Sequence, residues 1–370
     1  MSTGGFPLQM AAIGAMFDRV TLVVAESLPQ SGGLPLPGTA EVVGLREPNG
    51  ADRTRKLSVI THLGYYLRTI SNHVKQADVV HVPVPGDISL LGFLLALAFR
   101  KRLIARYGSS WAATAHTTHA QRATRACMRV FAGGRNVMIA TGVGSAPPAP
   151  QVRWLYATSL TQSELADIRP AFDRGLNDPP RLVYLGRLSA EKGVSELLRA
   201  LALLQRCGFQ PLPTLRVLGD GPERPNLEAL TRELELTRLV TFTGHLNRLQ
   251  LNAHLESVDL CVQPSLTESL CKAWLDALAH GLPLILSNVG AAASVAGDAG
   301  HRGWLFPAGD HVALADLLRR VLASNENWPA MRRRCRSFVE TRTLEAWARE
   351  IGEMCVAQWG GALEGGKLRS

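Results

Sequence analysis

Aromatic residues make up only 6% of this 370-residue chain, and charged residues only 19%. So little charge argues against long disordered regions. Cysteine is sparse, and its spacing is uninformative. Cys127, Cys207, Cys261, Cys271, Cys335 and Cys355 match no metal or redox pattern, and in a chain this long they do not form a disulfide framework. Reduced thiols in the cytoplasm are the expectation. Long apolar runs are missing too. The longest, Ile88 to Phe99, is bounded by Asp87 and Arg100 and falls short of the roughly 20 residues a membrane-spanning helix needs; a buried core helix is expected there. The chain does not open with the basic, apolar and small-residue progression of a secretory leader. Acidic residues are absent from the whole interval between Asp87 and Glu164.

What fills that interval is basic: Arg100, Lys101, Arg102, Arg106, Arg122, Arg125, Arg129, Arg135 and Arg153. Residues 1–170 hold 17 Lys and Arg against 9 Asp and Glu, whereas the remainder holds 23 against 22, so the net charge of +9 sits almost wholly in the first half. Two readings follow: a solvated basic face, or contact with an anionic partner such as membrane headgroups or a lipid pyrophosphate. Nucleic acid is not expected, because aromatics are sparse in the interval and no recognition signature accompanies it.

The 46% hydrophobic content suits buried cores, and the length suits about two domains. Short β-rich runs alternate with longer helical ones, the pattern of parallel sheets covered by helices on both faces. In the first half the strand candidates are 20–25, 79–84, 102–106, 136–140 and 152–157, with helices expected over 57–76, 88–99 and 118–131. Pro170, Gly175, Pro179 and Pro180 mark a break. After it, strands are expected at 181–185, 215–218, 240–243, 260–263 and 284–287, and helices at 195–206, 226–236, 249–257, 271–280, 312–323, 328–340 and 344–358. The resulting organisation is a first Rossmann-like domain over 1–166, a linker over 167–180, a second domain over 181–340, a closing helix over 341–359 that packs back toward the first domain, and a flexible tail from 360.

Four segments of the second half carry chemistry. In Gly186-Arg187-Leu188-Ser189-Ala190-Glu191-Lys192-Gly193 a strand runs through a glycine turn into a helix, and two cations stand at the strand's C-terminal end, as a pyrophosphate requires. Taken alone, both are ordinary surface charges. Gly219-Asp220-Gly221-Pro222 permits close backbone approach, and is also ordinary turn chemistry. Pro264-Ser265-Leu266-Thr267-Glu268-Ser269-Leu270 opens a helix whose free N–H groups can receive phosphate oxygens. Glu268 precedes that helix and Asp276 lies inside it, about 12 Å further on if every step is helical. Carboxylates so far apart suit recognition of hydroxyls at two points of an extended ligand; a helix cap and a solvated position are the alternatives. Gly303-Trp304-Leu305-Phe306-Pro307-Ala308-Gly309-Asp310 is a short strand ending in a turn.

In this order and at these intervals, the segments resemble the retaining glycosyltransferases of the GT-B fold, of the large family 4 type (glycosyl transferases group 1). The resemblance covers about 181–325 in motif and the first half in architecture. It implies two Rossmann-like domains facing a cleft, a nucleotide-diphosphate sugar as donor, and a saccharide or lipid-linked acceptor held by the first domain. It further implies that Arg187 and Lys192, beside Gly186, bind the donor pyrophosphate, and that Glu268 contacts the donor sugar; these three are the catalytic candidates. The backbone of Ser269 and Leu270 would approach the phosphates, with Gly219 nearby. Gly244, His245 and Leu246 would meet the nucleobase, and Asp276 would grip the ribose, where relatives carry the longer Glu. Lys192, Arg187 and the helix dipole would stabilise the departing diphosphate, so no metal or other cofactor is expected. On the acceptor side the candidates are the Gly4-Gly5 loop and the rings of Tyr107 and Trp111. The strand that should precede Gly4 is missing, and no His stands at the strand end occupied by Arg106 and Tyr107. A catalytically silent binder of the same fold is the competing reading.

Overall fold

The computed structural model describes residues 5–26, 35–50, 52–111, 117–144 and 146–369. They form two compact units, one comprising 1–159 with 344–370 and the other 160–343.

The first unit runs α1 (Phe6–Gly14), β1 (Thr21–Glu26), β2 (Glu41–Arg46), α2 (Asp52–Thr61), α3 (Leu63–Gln76), β3 (Val79–Val84), α4 (Asp87–Ala98), β4 (Arg102–Tyr107), α5 (His119–Phe131), β5 (Asn136–Thr141) and β6 (Val152–Leu155). The apolar run is indeed a core helix: α4 starts at Asp87, whose charge suits a helix N-terminus, and buries Gly92, Phe93 and Ala96. The segment expected as one helix over 57–76 is two, interrupted at His62. Helix α5 begins at a capping box between Thr118 and Gln121.

The strands of this unit fall into two separate parallel sheets, β1-β2 and β3-β4-β5-β6. A cavity of about 1780 Å³ is lined by Val20–Ala25 of the β1 segment, by Val79–Val82 of β3 and by Met10 and Ile13 of α1. One edge each of β1 and β3 lacks a partner among the described residues.

The second unit runs α6 (Gln162–Asp167), β7 (Arg181–Leu185), α7 (Val194–Arg206), β8 (Thr214–Leu218), α8 (Arg224–Glu233), β9 (Val240–Gly244), α9 (Arg248–Glu256), β10 (Leu260–Gln263), α10 (Lys272–Ala279), β11 (Leu284–Ser287), α11 (Ala292–Ala296), β12 (Gly303–Phe306), α12 (His311–Leu322) and α13 (Trp328–Glu340). All six strands are parallel, in the order β12-β11-β10-β7-β8-β9. The strand order therefore reverses between β7 and β10, and in such sheets ligands bind outside the carboxyl ends of the strands at that reversal. Strands β10 and β11 are buried throughout, as expected of a sheet covered on both faces.

Much of the segment expected as a linker is pinned to this sheet. Asp259, fully buried ahead of β10, accepts hydrogen bonds from Arg174 Nη1 (2.8 Å), Asn177 Nδ2 (2.7 Å) and the backbone N–H of Arg181 (2.8 Å). Arg332, 1% exposed, completes the network with Nη2 at 3.7 Å from Asp259, and burial pushes its guanidinium down to about 10.

The chain then returns to the first unit as α14 (Leu344–Trp359), which packs on α1 and β5. Beyond it, β13 (Ala362–Glu364) and β14 (Lys367–Arg369) pair antiparallel. This corrects the expectation of a frayed tail: Gly365 and Gly366, with φ of +55° and +81°, make the two-residue turn a hairpin needs. Asp18 secures it by accepting from Lys367 Nζ (2.7 Å) and Arg369 Nη1 (3.1 Å).

Candidate functional site at the strand reversal of the second unit

Leaving β7, the chain passes Gly186 and Arg187 into a 3-10 turn, Ala190–Lys192, ahead of α7. Tyr184, buried in β7, donates its hydroxyl to the Arg187 carbonyl (2.9 Å), fixing the loop from below. Gly193 has φ +61°, and a Cβ there would lie 2.2 Å from the Pro264 carbonyl oxygen. Only glycine lets this loop lie against the one that follows β10. The Leu266 N–H bonds the Glu191 carbonyl (2.8 Å) across the same junction. Beneath it, Gln263 donates Nε2 to the Leu185 carbonyl (2.8 Å), joining the ends of β10 and β7.

That close approach brings Lys192 to Glu268, with Nζ 2.5 Å from Oε2. Both side chains are largely sheltered, at 20% and 13% exposure. Burial pulls the Lys192 ammonium down, but Glu268, Cys271 and Glu191 together outweigh it and hold its pKa above the ordinary value. The other oxygen of Glu268 accepts the Ser269 N–H (3.1 Å). Cys271, just before α10, has its thiol pushed up to about 12, first by burial and then by Glu268. Arg187 is exposed and forms no ion pair among the described residues. Ser269 and Leu270 are buried, the Ser269 carbonyl accepting from Ala291 N–H (2.8 Å).

The second glycine loop packs against the first. Gly219 has φ +142°, and a Cβ on it would collide with the Gly186 carbonyl oxygen at 1.9 Å. Gly244, the last residue of β9, is buried, and beyond it His245 is exposed and Leu246 partly buried. Thus Gly186, Arg187, Lys192, Gly219, Glu268, Ser269 and Leu270 all stand at the carboxyl ends of β7, β8 and β10, around the reversal. Gly244–Leu246 stand at the end of β9.

Helix α10 begins at Lys272. Asp276 is therefore one turn inside it, and the eight-step helical spacing from Glu268 does not apply. Its Oδ1 lies 2.8 Å from Arg248 Nη1. Arg248 was not among the expected residues. The signal was local: Asn247 and Gln250 form a capping box directly after β9, which makes residue 248 the first of a helix at the ligand-binding end of the sheet.

The first-unit candidates fare differently. Gly4 lies outside the described residues, and Gly5 caps α1. Tyr107 is fully buried and Trp111 7% exposed; their rings meet edge-on at 5.4 Å, and Trp111 Nε1 donates to the Pro148 carbonyl (3.0 Å). These rings belong to the core and offer no face to a sugar. Of the basic interval, Arg106 and Arg125 turn inward. Arg106 donates Nε to His81 Nε2 (2.8 Å) and stacks over Trp347 at 4.8 Å, while Arg125 is 5% exposed and bonds the Trp111 carbonyl. Arg100, Arg122, Arg129, Arg135 and Arg153 are exposed.

The family model "Glycosyl transferases group 1" matches residues 171–340. The second unit is a group 1 glycosyl transferase domain. Glycogen synthase of Mycobacterium tuberculosis is 38% identical over 112 residues, 30% of this chain and 27% of its own. Alpha-D-kanosaminyltransferase of Streptomyces kanamyceticus is 32% identical over 166 residues, 45% of this chain and 42% of its own. The chain thus spans well under half the length of either relative. Among solved structures, sucrose-phosphate synthase from Thermosynechococcus elongatus superposes with a TM-score of 0.73 at 20% identity, covering 94% of this chain and 90% of that one. The chain accordingly has the GT-B fold, two Rossmann-like units. Within the group 1 domain, no cluster of three or more His, Cys, Asp or Glu able to hold a metal ion is present among the described residues.

Proposed function

We propose that this chain transfers a sugar from a nucleotide-diphosphate donor to a saccharide or lipid-linked acceptor, with retention of configuration and without a metal. The observation that carries this reading is the Lys192–Glu268 pair, 2.5 Å apart at the strand reversal of a group 1 domain. Support for the donor class comes from a solved neighbour, Anabaena HepE in complex with UDP-glucose, at TM-score 0.66 and 16% identity, covering 92% of this chain and 99% of that one.

The chemistry follows from charge. Breaking the bond between the anomeric carbon and the phosphate leaves negative charge on the diphosphate and positive charge on the sugar. Lys192, already cationic and sheltered, faces the first, joined by the exposed Arg187 and by the free N–H groups at the start of α10. Glu268 keeps its carboxylate oriented through the Ser269 N–H and faces the second. With protein cations supplying the counter-charge, a metal has no necessary role. Ser269 and Leu270 backbone groups meet the phosphates, Gly244–Leu246 the base, and Asp276 the ribose. We place the acceptor on the first unit, and assign the enzyme to surface-polysaccharide assembly in bacteria.

Release of nucleoside diphosphate from UDP-, GDP- and ADP-sugars tests this. We expect turnover with at least one donor, and a loss of about 10²-fold or more in K192A and E268Q. A wild-type chain that binds but never turns over a donor across an acceptor panel would establish the silent binder instead. Undiminished transfer in both variants would refute the assignment of these two residues.

A further inference from the structure

Three elements of the second unit converge on one guanidinium. Arg248, the first residue of α9, places Nη1 2.8 Å from Asp276 Oδ1 on α10 and donates Nε to Glu164 Oε1 on α6 (3.1 Å). Burial opposes its charge, but Asp276 and Glu164 outweigh burial and raise its pKa. Its third donor, Nη2, is buried without a partner among the described residues.

This arrangement is more than a surface ion pair. A short aspartate on a helix has little reach of its own, and its carboxylate rotates freely unless something holds it. Arg248 takes one oxygen of Asp276. Glu164 holds the opposite side of the planar guanidinium, so the fork cannot swing away. Among the described residues the structure pairs Asp276 with Arg248 by Oδ1 alone, and the side chain retains 12% exposure. A carboxylate clamped by one oxygen at the ligand end of the sheet presents the other in a fixed direction. That is the geometry for receiving a hydroxyl.

We infer that Arg248, braced by Glu164, is the positioning residue that aims Asp276 at a hydroxyl of the donor's ribose. The inference rests on the donor-site reading above. It supplies what a shortened carboxylate lacks: Arg248 replaces reach with orientation.

The test is calorimetric binding of UDP, GDP and ADP, and of their 2′-deoxy and 3′-deoxy counterparts, to the full chain. Wild type should prefer one ribonucleotide over a deoxy form by about tenfold, the value of roughly one well-made hydrogen bond to a charged group. In R248A that preference should fall toward one, as in D276A, whereas a merely structural Arg248 would weaken both forms equally and leave the ratio intact. R248K, whose compact ammonium lacks the rigid planar fork that spans the two carboxylates, should retain little of the preference, and E164Q, which keeps one hydrogen bond, should retain most. If R248A does not fold, R248K decides. An unchanged ratio in R248A, or no discrimination in wild type, overturns the inference while leaving the donor site standing. Absence of binding by all three nucleoside diphosphates overturns the donor site and the inference with it.

Discussion

Among single residues, Asp259 and the Tyr107–Trp111 pair make the sharpest cases, because each is buried for a definite reason. Asp259 carries a charge at 0% exposure, compensated by Arg174, Asn177, Arg332 and a backbone N–H. Removing the carboxylate strands those donors, so Asp259→Ala should cost about 3–5 kcal/mol in urea unfolding followed by circular dichroism. Trp111→Ala should cost a similar ~3–5 kcal/mol by opening a cavity. Donor binding in the second unit should persist in the folded fraction, whereas a ring that stacked on acceptor would instead raise the acceptor KM. The family resemblance points to Lys192 and Glu268, each just beyond a strand end, and the structure brings the two side chains together. Arg248 and Glu164 were not legible in the sequence, since their relation to Asp276 spans 28 and 112 positions and exists only once three elements have packed.

Among elements, legibility follows burial. Strands β7, β10 and β11 are read from short apolar runs, because a strand covered on both faces is apolar over most of its length; each carries a single polar residue at one end, Arg181, Gln263 and Ser287. Strand β2 was missed: at the margin of a two-stranded sheet it is mostly exposed or half-buried, and nothing forces a pattern on it. The β13–β14 hairpin was announced by Gly365-Gly366 between Leu363 and Leu368, but composition alone reads those glycines as fraying. Its anchor responds to acid. Lys367, first, and then Arg369 hold the Asp18 carboxyl below its ordinary 3.8. That contribution is complete above 3.8 and is lost as pH falls through the lower, folded value. The protection factor of the Leu368 amide, which bonds the Met16 carbonyl, should therefore fall in that acid window and stay level between pH 5 and 8, once exchange is corrected for its intrinsic dependence on pH. The Gly219 loop admits a further check. A Cβ 1.9 Å from the Gly186 carbonyl oxygen cannot be accommodated, so Gly219→Ala should abolish nucleotide binding while leaving the first unit's unfolding unchanged.

Across the whole molecule, the asymmetry of charge outweighs its total. With a net +8 over residues 1–170 and +1 over the rest, the first half should associate with vesicles containing phosphatidylglycerol and ignore neutral ones. The attraction should fade as salt shortens the screening length from about 30 Å at 0.01 M to about 8 Å at 0.15 M. Co-sedimentation across that range is the measurement. Salt-insensitive binding would point to insertion instead, although no helix among the described residues is long and apolar enough to cross a membrane.

The divided sheet of the first unit has a consequence for handling the protein. Among the described residues, the margins of β1 and β3 that line the cavity each carry a row of backbone donors and acceptors with no strand partner, and such rows template the addition of further strands. On concentration or mild heating, misassembly should start there. Limited proteolysis of the aggregates should recover protected fragments that contain residues 21–26 and 79–84, while the group 1 domain, whose six strands form one continuous sheet, is still digested as the native fold. A charged residue placed on that margin, Val80→Lys, should raise the solubility limit without touching the donor loops.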